Sequence, residues 1–464
     1  MRPTCVGKHL KQTLPAGSWL RAAALTLVIV LLAFPYVYGY DTATAREALR
    51  ADLAYLRNLV AEDGGVKLGP QNSLRAEALA GLVAARIHLG LGDVESLQVL
   101  NKLAGRVRSR VLAGDGLDIG FKTDMEVYEN FATHVFTAQF LAAHYGLTKD
   151  AGSREAGLRV AESMEAGVGW SPLYSKGGFL ILASAYALYS GGRPEAGDVM
   201  KAVEEFDQHF YDIADYSTRA TFNLIQSLSM LSSLMRAANA AGVEPTTQLI
   251  ALWTVHIDYV SNSTVVREAK DYYMAATALT ALVDASENTH TSYSSKALEE
   301  ALRLADILVS TYAVGDRLLQ HPFPAAYVLL LDPAFPSERV FKEYAGRRVD
   351  MVDLTLPSNI ARLRRLSDVS SLEKTLDLAL EKAADVQGYY RFVPTGYTPS
   401  EEFVNRYLRV EFLSTVLAVE RAPAARLRSN ILQTILLTQP SFLFTVVLLV
   451  LFVVLNRVGV LMGG

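Results

Sequence analysis

Residues 73–111 read SLRAEALAGLVAARIHLGLGDVESLQVLNKLAGRVRSRV. Apolar side chains recur every three or four positions on both sides of the turn at residues 90–93, which is the spacing of one face of an α-helix. Ser73 and Asp93 are residue types that favour helix starts. The stretch therefore predicts two helices, Ser73–Leu89 and Val94–Val111, that pack as an antiparallel hairpin.

The same signals continue outward from this hairpin. Capping boxes, in which Ser or Thr is followed three residues later by Glu, occur at residues 44–47, 123–126, 370–373 and 398–401. Turns are predicted at four glycines about 50 residues apart, Gly92, Gly146, Gly191 and Gly242. We predict an all-α helical-hairpin domain over residues 41–320, arranged as a toroid or a solenoid, with about eleven helices between residues 43 and 313.

Residues 321–356 break the helical pattern. Tyr327–Leu331 is a short apolar run between two prolines, and Val349–Leu354 alternates apolar and polar residues. With a helix predicted at residues 337–345, the order strand, helix, strand predicts a small parallel β-α-β element. A helical continuation is predicted for residues 357–428.

An apolar run lies near each end of the chain. Residues 1–21 are basic and precede a charge-free run, so we predict a cytoplasmic N-terminus and a transmembrane anchor at residues 22–40, or alternatively a cleaved signal peptide. A C-terminal membrane segment is predicted at residues 429–464, with an interfacial hairpin or a processed tail as the alternative. These segments imply a lipid bilayer as a partner, a cell-membrane location and an extracytoplasmic central domain.

Charge and cysteine content exclude several classes of protein. The chain has 464 residues, with 44 Lys and Arg against 48 Asp and Glu, and every acid lies between residues 41 and 428. An acidic central region argues against nucleic acid as a partner, because phosphate binding needs a basic surface. Cys5 is the single cysteine, so a disulfide framework is excluded.

The sequence gives no reason to expect a cofactor or a metal. No two of its histidines are four residues apart, and neither an HExxH motif nor a glycine-rich phosphate-binding motif is present. We therefore predict no metal site and no cofactor.

The best candidate for a catalytic pocket lies at residues 118–134. Glu126, Asn130 and His134 follow one another at intervals of four and share a helix face, with Asp118 and Asp124 near the helix start. Carboxyl groups at such a position suit general acid and base catalysis on a glycan. The alternative is that Glu126 and Asp124 only stabilise the helix start and that His134 is a packing residue.

A second candidate region includes a predicted polar helix at Ser217–Ala240 and an aromatic cluster. Arg219 and Asn223 fall on one face of that helix, and the alternative to a role in a cavity is solvent exposure. Asp271 and Tyr272 are candidates for a sugar-stacking surface, for which packing between helices is the alternative.

Three segments of the chain resemble a known family. They are VKLGPQNSLRAEALAGLVAARIHLGLGD at residues 66–93, HPFPAAYVLLLDPAFPSERVFKEYAGRRVDMVDLTL at 321–356 and GYYRFVPTGYTPSEEF at 388–403. They are similar to the (α/α)6-toroid portion of the family that joins a thioredoxin-like domain to a toroid related to N-acylglucosamine 2-epimerases. The chain lacks the thioredoxin domain and its CxxC motif, and no catalytic residue is transferred by this resemblance.

Two functions are compatible with these observations. The first is a membrane-anchored extracytoplasmic helical module that binds or scaffolds a glycan, a peptide or an envelope protein. The alternative is a carbohydrate-active enzyme, namely a hydrolase, a lyase or an epimerase. Two acids in one pocket with facing aromatic rings would favour the enzyme, and an apolar concave face with scattered polar residues would favour the binding module.

Overall fold

The computed structural model describes residues 42–68, 73–115, 124–288, 292–334, 346–386 and 390–421, with only the backbone described for residues 124–130. These residues form seventeen helices and four short strands. The helices are α1 (Thr42–Leu59), α2 (Leu74–Leu91), α3 (Val94–Leu112), α4 (Asp124–Thr148), α5 (Ala151–Val168), α6 (Lys176–Tyr189), α7 (Ala196–Gln208), α8 (Phe210–Arg219), α9 (Thr221–Ala241), α10 (Thr247–Asn262), α11 (Thr264–Glu268), α12 (Tyr272–Ser286), α13 (Ser292–Tyr312), α14 (Ala325–Leu330), α15 (Thr355–Leu363), α16 (Glu373–Ala384) and α17 (Glu401–Arg421). The strands are β1 (Ala313–Val314), β2 (Arg317–Leu318), β3 (Gln320–Pro324) and β4 (Arg348–Val352).

Helices α2 and α3 lie where the sequence predicts them and pack against each other. The Ser73 hydroxyl accepts a hydrogen bond from the backbone N–H of Ala76, and the Asp93 carboxylate accepts one from Ser96. Gly92 ends α2 with a φ of 68°, a left-handed conformation that costs glycine little. Local capping therefore fixes both ends of this turn.

The same side-chain arrangement closes two successive hairpins. At the end of α2, His88 Nδ1 lies 3.0 Å from Ser96 Oγ. At the end of α4, His144 Nδ1 lies 2.8 Å from Ser153 Oγ, and Asp150 caps the following helix as Asp93 does. In both hairpins a histidine near the C-terminus of one helix is thus hydrogen-bonded to the first turn of the next, and His144 is buried.

The buried histidine in the second of these hairpins makes stability depend on pH. Burial lowers the pKa of His144 from 6.5 to about 4, and the nearby Asp150 offsets only part of that effect. Because the unfolded chain then binds more protons than the folded chain, we expect the free energy of unfolding to fall by about 3 kcal/mol as the pH drops from 6.5 to 4. Chemical denaturation of the wild type and of His144→Gln between pH 6.5 and pH 4 measures this loss of stability. The contribution is absent if both proteins lose stability in parallel.

Seven helices make a closed series of contacts. In the described part of the chain, α2 packs against α4, α4 against α6, α6 against α9, α9 against α12, α12 against α15, α15 against α17, and α17 against α2. The remaining long helices each pack against one or more members of this series; α1, for example, contacts both α2 and α17. The cavities described below lie among the helices of this series.

The turn predicted at Gly146 does not exist, because α4 continues through it to Thr148. A Cβ atom at this position would lie 2.3 Å from the carbonyl oxygen of Ala183. The glycine therefore allows α4 and α6 to approach closely, and the chain turns at Lys149, which has a φ of 61°.

The predicted polar helix Ser217–Ala240 is divided in two. Ala220 adopts an extended conformation, with φ of −158° and ψ of 151°, between α8 and α9. Arg219 and Asn223 therefore belong to different helices. This break and the short helix α11 help to bring the number of described helices between residues 42 and 312 to thirteen, rather than about eleven.

The predicted parallel β-α-β element is wrong. The residues Tyr327–Leu330 belong to α14, since a short apolar run with alanines before it fits a helix as well as a strand. Strand β3 begins earlier, at Gln320, and pairs antiparallel with β4, so that Phe323 lies opposite Val349. Prolines are tolerated in β3 because both strands of a two-stranded sheet are edges. Strands β1 and β2 form a second antiparallel pair.

The predicted transmembrane helices are also corrected. Among the described residues, every helix is too short or too polar to cross a bilayer. The segments predicted at residues 22–40 and 429–464 and the helix predicted at 337–345 lie outside the described residues. The fold class, predicted as an all-α toroid or solenoid with a β-α-β element between membrane helices, becomes a mostly helical fold with two small antiparallel sheets.

Candidate functional site

A cavity of about 290 Å³ lies among the helices of the closed series. Its lining comes from α2, α6, α12, α15 and α17 and from the segments around β3 and β4. The lining side chains with polar groups are Arg86, Tyr186, Tyr189, Thr280, Tyr327, Asp353, Thr355, Ser358, Asn359, Arg362, Glu411, Ser414 and Thr415. The remaining lining is apolar and includes Phe323 and Phe412.

An ion pair between α2 and α17 forms one part of the cavity lining. Arg86 Nη2 donates to Glu411 Oε1 at 2.6 Å, and the guanidinium lies 4.5 Å from the ring centroid of Tyr407. Burial would lower the pKa of Arg86, but Glu411 and the surrounding tyrosines raise it above its usual value. Arg86 Nη1 is buried and has no hydrogen-bond partner among the described residues. Arg86 therefore lines the cavity and keeps hydrogen-bonding capacity that its ion pair does not use.

The side chains of Arg86 and Glu411 differ in solvent exposure. The side chain of Arg86 is 15% exposed, whereas that of Glu411 is 41% exposed. The Glu411 carboxylate side chain is therefore more accessible than the Arg86 side chain. Both side chains line the cavity.

A second charged group joins α12 and α15. Arg362 Nη2 lies 2.5 Å from Asp284 Oδ1 and 2.9 Å from Glu287 Oε2, and its Nε donates to Glu287 Oε1 at 3.0 Å. Arg236 of α9 also pairs with Glu287, and its guanidinium lies 5.0 Å from the ring centroid of Tyr189. Burial alone would raise the pKa of Glu287, but Arg362 and Arg236 lower it to about 2. The carboxylate is therefore ionised at neutral pH.

Asn359 connects Arg362 to Thr280 by hydrogen bonds. Arg362 Nη1 donates to Asn359 Oδ1 at 3.3 Å, and Asn359 Nδ2 donates to Thr280 Oγ1 at 2.9 Å. All three side chains line the cavity. The network thus fixes the orientation of polar groups on α12 and α15 before any ligand arrives.

Asp353 is the other carboxyl group in the lining, and its contacts are those of a helix cap. Its oxygens accept hydrogen bonds from the backbone N–H of Thr355 at 2.7 Å, from that of Leu356 at 3.2 Å and from the Tyr272 hydroxyl at 3.2 Å. Burial raises the pKa of Asp353, and these three donors oppose the increase. The side chain holds the start of α15 at the cavity.

A second cavity, of about 300 Å³, adjoins the first. Thr280, Phe323, Tyr327 and Thr355 line both cavities. The rest of the second lining comes mainly from α9 and α12. None of the described residues that line it is charged.

The charges around the first cavity nearly balance. Three arginines and four carboxylic acids either line the cavity or pair with a lining residue. When all seven are ionised, their formal net charge is −1. These residues are Arg86, Arg236, Arg362, Asp284, Glu287, Asp353 and Glu411. Such a site does not select for a strongly charged ligand.

The structure describes the candidate residues at 118–134 only in part. Asp118 lies outside the described residues. The backbone of Asp124, Glu126 and Asn130 belongs to α4, and their side chains are not described. His134 is buried in the same helix, with 1% of its surface exposed.

The other four candidates lie in different environments. Arg219 is exposed and pairs with Asp215, whereas Asn223 donates to the carbonyl oxygen of Tyr216. Asp271 caps α12 and pairs with Arg348 at 2.9 Å. Tyr272 is buried, and its hydroxyl donates to Asp353 in the cavity lining.

Sequence reasoning missed the charged residues of the cavity. Arg86 and Glu411 are 325 residues apart, and Arg362 is 75 residues from Glu287. One local signal existed, because Arg86 stands among alanine, valine, isoleucine and leucine in a predicted helix. A charged residue at such a position needs a partner or a function.

The described residues and the comparisons with known proteins do not assign a function to this site. Among the described residues, no group of three or more histidine, cysteine or acidic side chains is arranged to hold a metal ion. The resemblance to the toroid family stays a prediction. No family model matches the chain, and no curated protein and no solved structure is significantly similar to it.

Proposed function

We propose that the chain is a binding module that takes an uncharged sugar into the cavity beside Arg86 and Glu411. The observation that carries this proposal is the buried Arg86 Nη1, a donor without a partner, next to the accessible carboxylate of Glu411. A ligand that satisfies both must accept one hydrogen bond and donate another. Neighbouring hydroxyl groups of a sugar do this, because each hydroxyl is both a donor and an acceptor.

Aromatic rings support the same ligand class. Tyr186, Tyr189, Phe323 and Tyr327 line the cavity and offer apolar faces with polar tips. A sugar ring has apolar C–H faces and polar edges, so it fits a lining in which such rings alternate with a few fixed polar groups. The near-balance of charge favours an uncharged sugar over a polyanion.

Calorimetric titration of the full chain with a panel of neutral monosaccharides and disaccharides tests the proposal. We expect binding by the wild type and a loss of about 10- to 100-fold in affinity in Arg86→Met, because a hydrogen bond to a charged group contributes about 1.5–3 kcal/mol. Arg303→Met is the matched control, since Arg303 pairs with Glu300 on the surface. Binding that is absent from the wild type, or equal in the wild type and Arg86→Met, would contradict the proposal.

A carbohydrate-active enzyme is the second candidate. Two carboxyl groups in different settings favour it, because Asp353 is buried and has a raised pKa while Glu411 is accessible and pairs with Arg86. An acid and a base in one cavity are what glycoside chemistry requires. Chromatography of a bound sugar after prolonged incubation separates the two functions. A new product supports the enzyme, and an unchanged sugar supports the binding module.

A further inference from the structure

The two adjoining cavities differ in chemistry. The first contains every charged side chain among the described lining residues, and the second contains none of them. Resting on the proposed function, we infer that the site takes a glycoside whose sugar lies in the first cavity and whose uncharged apolar group lies in the second. This names the ligand class more closely than a sugar alone.

Aliphatic side chains dominate the part of the second lining that is not shared. They are Leu173, Ile225, Met230, Ala276 and Ala281. Removal of an apolar group from water against such a surface is favourable in proportion to the area that becomes buried.

Three polar side chains of the second cavity already make hydrogen bonds within the protein. Ser229 donates to Asp284, Thr277 donates to the carbonyl oxygen of Tyr273 at 2.8 Å, and Gln226 Oε1 accepts from the Tyr216 hydroxyl at 2.8 Å. A second sugar unit would lose hydrogen bonds to water and regain few from these groups. An alkyl or aryl group has no such requirement.

The shared lining provides continuity between the two cavities. The Phe323 ring centroid lies 6.4 Å from that of Tyr327 and 5.4 Å from that of Tyr273. Thr280, which also lines both cavities, accepts the hydrogen bond from Asn359 of the charged network. The change from polar to apolar lining therefore occurs across one group of side chains.

A series of alkyl glycosides tests the inference on the full chain. The probes are methyl, butyl and hexyl β-D-glucoside and β-D-galactoside, titrated calorimetrically below their aggregation concentrations, with maltose and lactose as the two-sugar alternative. We expect affinity to rise about fourfold for each added methylene, because burial of one contributes about 0.8 kcal/mol. Methyl glycosides should bind more weakly than hexyl glycosides, and the disaccharides should gain nothing over the methyl glycosides.

Variants of the second cavity show where the alkyl group lies. Met230→Trp fills the cavity and should abolish the chain-length gain while methyl glycosides still bind. Thr277→Leu is a second, milder filling variant, and Val255→Trp on the exposed face of α10 is the matched control.

Each result has one interpretation. Binding of methyl glycosides with no chain-length gain overturns the inference and leaves the proposed function in place. A chain-length gain that persists in both filling variants, or stronger binding of the disaccharides, also overturns the inference. If no glycoside binds at all, the proposed function fails with it.

Discussion

Asp52→Ala should destabilise the folded chain by about 3–5 kcal/mol, because it leaves a buried arginine without its partner. The Asp52 side chain is 1% exposed and that of Arg409 is 5% exposed. Asp52 accepts hydrogen bonds from Arg409 Nε at 3.0 Å and from Arg406 Nη1 at 2.7 Å. These contacts join α1 to α17, so the loss should appear in urea denaturation as a lower midpoint.

Glu402→Ala is the matched control for this prediction. Glu402 also pairs with Arg406, but its side chain is 51% exposed, so its removal should cost about 1 kcal/mol or less. The double variant Asp52→Leu with Arg409→Met should recover most of the stability, since an apolar pair needs no charge partner. Equal effects of Asp52→Ala and Glu402→Ala would show that burial of the pair is unimportant.

Arg362→Met should have an effect of similar size, about 3–5 kcal/mol at neutral pH, because it leaves the buried carboxylates of Asp284 and Glu287 with Arg236 as the remaining arginine, which pairs with Glu287. The side chains of Arg362, Asp284 and Glu287 are 6%, 10% and 11% exposed. Denaturation by urea at pH 7 measures the loss. The exposed Arg303 again provides the matched control.

The effect of Arg362→Met should also depend on pH. In the wild type, the pKa of Glu287 is lowered from 4.5 to about 2, so the stability from its ionised form is present above pH 4.5 and is lost as the pH falls towards 2. The variant lacks the main cause of that lowering. The difference in stability between wild type and variant should therefore shrink below pH 4.5, and a constant difference would mean that the ion pair is not its cause.

Local structure could be predicted because its causes lie within a few residues. Ser73 and Asp93 mark the starts of α2 and α3 by hydrogen bonds to N–H groups three residues later. The continuation of α4 through Gly146 could not be predicted in this way. Its cause is the close approach of Ala183, which belongs to another helix.

The candidate site was less predictable than the helices. Its charged pairs form between helices that are distant in the sequence, as Arg86 and Glu411 show. The pattern at residues 118–134 has the right residue types, but the same residues also suit a helix start, and sequence alone does not decide between the two. Tyr272 was the most successful of the predicted site residues, because its hydroxyl contacts Asp353 at the cavity.

A crystal structure of the full chain soaked with hexyl β-D-glucoside and hexyl β-D-galactoside tests the central claim most directly. The account predicts a sugar hydroxyl within hydrogen-bond distance of both Arg86 Nη1 and the Glu411 carboxylate. A glycoside bound elsewhere on the molecule, with the space beside Arg86 filled only by water, would contradict it.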